Sequence, residues 1–101
     1  MSRLPVRFTE RALEEISGIM LRKNIPAGYA LRVGAAGAGC SGVRFIIGFD
    51  TEKPGDASFE VNQVKVIIEK KHFLHLAGMK VDFLENETER GFVFESDSVS
   101  F

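Results

Sequence analysis

A chain of 101 residues, 45% of them apolar and nine of them Phe, holds material for one modest core, read as a single domain over 1–101. Its 13 Lys and Arg against 14 Asp and Glu give a net charge of −1. That argues against a general nucleic-acid or membrane-surface binder, which needs a basic excess to meet phosphates. No stretch approaches the roughly 20 apolar residues of a membrane span, and the start has no long apolar segment to act as a secretion signal. A soluble, cytoplasmic protein is expected. The single cysteine, Cys40, excludes both an intramolecular disulfide and a self-contained four-cysteine metal site.

The first predicted element is a helix over 9–23. Thr9 suits the N-cap, and Glu10 suits the first turn. Ala12, Leu13, Ile16, Ile19 and Met20 follow at helical spacing as one apolar stripe, and Asn24 with Pro26 ends it. From Tyr29 the period falls to two, predicting a half-buried strand through Val33 into a loop from Gly34 to Gly42. Val43 to Asp50 reads as a second strand, buried on both sides near Ile46 and Ile47. Pro54 and Gly55 mark a turn. Ser58–Val61 and Lys65–Ile68 form a hairpin around Asn62 and Gln63. A short second helix spans Glu69–Ala77 and stops at Gly78. Strands over 81–84 and 91–95 flank a polar turn at 86–90, and no structure is expected for the tail from Ser96. Two helices and about six short strands, without regular strand–helix alternation, predict a mainly β domain with two flanking helices rather than a doubly wound sheet.

The segment from Gly34 to Gly42 contains four glycines and three alanines around the only thiol. Such bare backbone can present a cysteine outward and surround it with N–H donors that favour the thiolate, the form that binds metal or attacks electrophiles. Gly37, Gly39 and Gly42 also match the spacing of a dinucleotide fingerprint. That fingerprint works only when a helix follows, and here the sequence after Gly42 is strand-like. A catalytic cysteine needs a partner base, for which only His72 and His75 offer themselves. Those two, three residues apart, share a helix face and could reach one metal ion, but nothing nearby in sequence completes a zinc set. Packing of Cys40 as a small buried residue, and solvation of both histidines, are the plain alternatives.

Four passages together resemble the HesB/IscA family of A-type iron–sulfur carriers. They are Leu31-Arg32-Val33 leading to Gly39-Cys40-Ser41-Gly42, then Phe49-Asp50, then Leu76 and Gly78 before Val81-Asp82-Phe83, and Gly91-Phe92-Val93-Phe94. The resemblance implies a HesB-like β-sandwich. It also implies a homodimer or higher oligomer that is not an enzyme. Such an oligomer holds iron, or a [2Fe–2S] or [4Fe–4S] cluster shared between chains, for assembly proteins or apo-protein clients. Of the family's three cysteines only the one in the Gly-Cys-Ser-Gly loop carries over, onto Cys40, with Gly37, Gly39, Ser41 and Gly42 positioning it. After Phe94 the sequence runs through Glu95, Ser96 and Asp97 to Phe101 with no counterpart of the Cys-Gly-Cys motif. The remaining ligands then come from external thiols, from a partner, or weakly from the oxygens of Glu95 or Asp97, so the bound group is expected to be labile. The competing expectations are a HesB-like binding or interaction module without cluster chemistry, and a thiol enzyme or redox sensor.

Overall fold

The computed structural model describes residues 4–36 and 44–96. Two sheets face each other across one core. The first has three strands in the order β1 (Val6–Phe8), β6 (Met79–Glu85), β7 (Arg90–Ser96). The second has four, in the order β3 (Arg44–Thr51), β2 (Tyr29–Ala36), β5 (Val64–Glu69), β4 (Asp56–Val61). Most pairings are antiparallel, while β1 with β6 and β2 with β5 are parallel. This is the mainly β sandwich with flanking helices expected from the sequence. Val6, Ile16, Leu31, Val33, Val66, Ile68, Leu76, Val81 and Phe83 meet between the layers as the buried core. Removing such side chains from water is the main stabilising term, at about 25 cal/mol per Å².

Helix α1 (Glu10–Arg22) lies within one residue of its predicted bounds at both ends. The Thr9 hydroxyl accepts the N–H of Ala12 and donates to Asp82 Oδ1 at 2.7 Å, so one side chain caps the helix and ties it to β6. That hydroxyl, followed by the Phe83 N–H, holds the Asp82 carboxyl below the usual carboxylate range. Thr9→Ala loses the cap and should cost about 1 kcal/mol. A thermal melt lowered by roughly 4–8 °C is the expected reading.

The 61–64 connection is a two-residue hairpin loop. Asn62 and Gln63 have φ of 48° and 70°, the left-handed pair that matches strand twist. Other expectations are corrected. Val6–Phe8 is a strand that the sequence reading missed, because three residues give too short a period to register; β6 supplies its pairing. The second helix shrinks to a 3-10 turn, Lys70–His72, and one α-helical turn, α2 (Phe73–Leu76). Glu69 belongs to β5, since the β-branched run Val66, Ile67, Ile68 extends the strand and Glu69 pairs with Asp56. Strand β2 runs to Ala36, past the predicted loop start at Gly34. Ile46 and Ile47 are not buried on both sides. β3 is a sheet edge, Ile46 is exposed and Ile47 half-buried. Among the described Phe residues Phe83 is buried and the others pack partly buried around the core.

Candidate functional site

The antiparallel ladder of β2 and β3 closes at Ala36↔Arg44. Cys40 lies midway in sequence between these paired residues. Cys40 itself, its neighbours Gly37, Gly39, Ser41 and Gly42, and Asp97 all fall outside the described residues. The residue after Gly42 and Val43 enters strand β3, not a helix, so the dinucleotide-fingerprint spacing has no helix N-terminus to work with.

Two features flank the hairpin end. On one side Phe45 stacks on Phe94, with ring centroids 4.8 Å apart and planes within 9°. That contact joins the second sheet to the first and brings the last residues of β7 beside the root of the Cys40 connection. Side chains alternate along β7, so Glu95 points opposite to Phe94. Its Oε1 pairs with Lys80 Nζ at 3.5 Å, and any ligand role requires breaking that pair.

On the other side lies an open depression of about 470 Å³ lined by Ala35, Ala36, Ile46, Glu69, Lys71, His72 and His75. The two histidines do share a site, as their spacing predicted. His72 Nδ1 accepts the Ala35 N–H at 3.4 Å. That contact occupies Nδ1, so this nitrogen is not free to bind metal in this arrangement. Lys71 pairs with Glu69 at 3.5 Å. Among the described residues no group of three or more His, Cys, Asp or Glu is arranged to hold a metal ion.

At the opposite end of β2 an ion-pair hub fixes the sheet. Arg32 donates from Nη1 and Nη2 to both oxygens of Asp56, at 3.0 and 2.6 Å, and from Nε to Asp50 at 2.9 Å. Lys53 Nζ donates to Asp50 at 2.9 Å and the Lys53 N–H to Asp56 at 2.8 Å. The doubly hydrogen-bonded pair with Asp56 holds the Arg32 guanidinium firmly protonated. The sequence reading used Arg32 and Asp50 only as marks of resemblance and did not anticipate the hub. Nothing in a linear pattern joins Arg32 to Asp56, which sits two strands away.

The likeness of the chain to known proteins agrees with this arrangement. A family model described as iron-sulphur cluster biosynthesis matches residues 4–100. The chain belongs to that family. Within it, the chain is 36% identical over 97 residues to the iron-sulfur cluster insertion protein ErpA of Hydrogenovibrio crunogenus, covering 95% of this chain and 85% of the relative. It is 31% identical to the iron-binding protein IscA of Pectobacterium atrosepticum, over 96% of this chain and 90% of the relative. In fold it is similar to a crystal structure of IscA with a [2Fe-2S] cluster, at a TM-score of 0.74 and 22% identity, covering 90% of this chain and 84% of the other. The HesB/IscA resemblance read from four short motifs therefore extends over the whole family match. No helix among the described residues is long and apolar enough to cross a membrane.

Proposed function

We propose that this protein receives and passes on iron or an iron–sulfur cluster, with Cys40 as its thiolate ligand, and that it acts as a carrier and not as an enzyme. One observation carries the reading. The single thiol of a chain in the iron-sulphur cluster biosynthesis family falls, in sequence, midway between Ala36 and Arg44, the paired ends of β2 and β3, in a segment rich in glycine. Soft thiolates suit iron–sulfur clusters, and exposed backbone N–H groups favour the thiolate form. The relatives named for cluster insertion and iron binding support the same direction.

The cargo is a [2Fe–2S] or [4Fe–4S] cluster or iron. A cluster takes four thiolates, with histidine replacing some of them in certain sites. These 101 residues supply one thiol, Cys40. The other ligands come from outside them: a second copy in a homodimer or higher oligomer, a small thiol such as glutathione, or the cysteines of an assembly protein or apo-protein client. Glu95 and Asp97 add at most weak oxygen ligands. Cargo held this way exchanges readily, which suits transfer in the cytoplasm.

Anaerobic reconstitution with ferrous iron, sulfide and glutathione tests the reading. The wild-type protein should gain visible charge-transfer absorption and bound iron, and should surrender both quickly to a chelator. Cys40→Ala should fall to background. Equal iron and equal absorption in the two proteins would sink the proposal and leave an interaction module that does not use the thiol.

A further inference from the structure

The parallel pairing of β2 with β5 runs through Leu31↔Val66 and Arg32↔Ile67, whereas β2 itself continues to Ala36. Backbone amides alternate in direction along a strand, so those of Leu31, Val33 and Ala35 point to the edge that β5 lines. β5 ends at Glu69 and the chain turns away into Lys70–His72. A side chain takes over there. The Ala35 N–H, on a residue only 2% exposed, donates to His72 Nδ1. A buried amide left without a partner costs about 1–3 kcal/mol, so an acceptor at this spot is needed and not incidental.

Gly34 makes room for the ring. A Cβ at that position would lie 3.0 Å from His72 Nδ1 and 3.4 Å from Cε1, closer than side chains normally approach. Gly34 has no left-handed φ to explain its presence, so the glycine answers to space alone. Two neighbouring positions of β2 thus fit one imidazole, by a backbone donor and by an absent side chain. The next residues along the strand lead into the Cys40 connection.

We propose that His72 is a positioning residue for the Cys40 connection: its imidazole replaces the strand partner that β2 loses where β5 ends, and so holds the strand end from which residues 37–43 depart. The functional importance of that hold rests on the reading of Cys40 as the ligand. The contact also commits Nδ1 of His72 to the backbone instead of to a metal.

The test uses the full chain with His72→Asn, which keeps an acceptor near the place of Nδ1, and His72→Leu, which keeps bulk without one. Gly34→Ala serves as an independent way to push the ring off. Amide hydrogen exchange at Ala35 and the rate of Cys40 alkylation by iodoacetamide are the readouts, with circular dichroism checking the fold. His72→Leu and Gly34→Ala should each speed Ala35 exchange about five- to tenfold, the factor expected for one lost hydrogen bond, and should alter the Cys40 alkylation rate. His72→Asn should stay near wild type. Gly34→Ala added to His72→Leu should do little more than either alone, because both act on one contact. The assignment is overturned if folded His72→Leu exchanges and alkylates like wild type, or if His72→Asn is as impaired as His72→Leu. Neither readout needs iron. A wild-type protein that takes up no iron would end the carrier reading while leaving this test of His72 intact.

Discussion

Asp56→Asn should lower the stability of the protein by about 2 kcal/mol, within the range for hydrogen bonds to a charged group in a part-buried setting. The Asp56 side chain is only 2% exposed and faces Arg32, which keeps 20% of its side chain accessible. The substitution preserves shape but leaves Arg32 with the half-exposed Asp50 as its one carboxylate partner. The cost comes chiefly from the stranded guanidinium, not from lost attraction. Changing both partners to leucine should therefore recover much of the loss, whereas Arg32→Leu alone strands Asp56 and should not. Urea unfolding at neutral pH reads the effect as a midpoint shift of about 1 M for a chain of this size. An Asp56→Asn midpoint within a few tenths of wild type would show that the hub contributes little.

The same hub contributes to the acid limb of stability, beside Asp82. Arg32 is the first cause that holds the Asp56 carboxyl below the usual range, and the Lys53 ammonium, then the Thr51 N–H and Arg32, hold Asp50 at about 2. Both native values lie below the unfolded ones, so the unfolded chain binds more protons and stability rises with pH. The contribution is complete above about pH 5. It drains as the pH falls from about 4, where unfolded carboxylates titrate, toward about 2 for Asp50. Asp56→Asn should flatten that limb, measured as unfolding midpoints stepped from pH 6 to pH 2. Added salt should flatten it too, since Asp50 is partly exposed and open to screening.

The division between what could and could not be read in advance follows from range. Local signals carried α1, because Thr9, Glu10 and the stripe from Ala12 to Met20 each act within a turn or two. They also carried the Asn62–Gln63 hairpin, whose two positive φ angles are a property of those two residues. Pairing decided the rest. Glu69 had a helix-like neighbourhood in Lys70 and Lys71, yet its register with Asp56 keeps it in β5. Ile46 looked like core because it sits in a β-branched and aromatic run with Phe45 and Ile47. Only the strand order, with β3 at an edge, exposes it. Around the thiol, the glycines were legible as bare backbone that can present a cysteine, but the side chain that Gly34 admits was not. Gly34 sits 38 residues before His72 in sequence, and the fit between them exists only once β5 has turned into Lys70–His72. Gly34 read as the start of a loop, and only the extension of β2 to Ala36 makes it a glycine inside a strand.

Leu76→Ala should be as damaging as any single change in the core, and its consequences should reach the Cys40 end of β2. α2 is one turn long, too short to hold itself together, so it is kept in place by what it buries. Leu76 is fully buried among the core residues, while Leu74 on the same turn is 90% exposed. Truncating a buried leucine costs about 2–5 kcal/mol through lost transfer energy and the cavity left behind, with about 3 kcal/mol expected here. Against a total stability of roughly 5–15 kcal/mol that is a large share, and the melting temperature should drop on the order of 15 °C. Leu74→Ala should move stability by no more than about 0.5 kcal/mol. The two variants together separate anchoring from helix propensity, since both replace leucine by alanine in the same turn. His72 lies one turn before Leu76, so loosening α2 should also free the Ala35 amide. Hydrogen exchange at Ala35 should rise in Leu76→Ala even under conditions where the protein stays folded. If the leucine pair behaved alike, α2 would be held by its connections instead of its buried side chain, and His72 would owe its place to β5 alone.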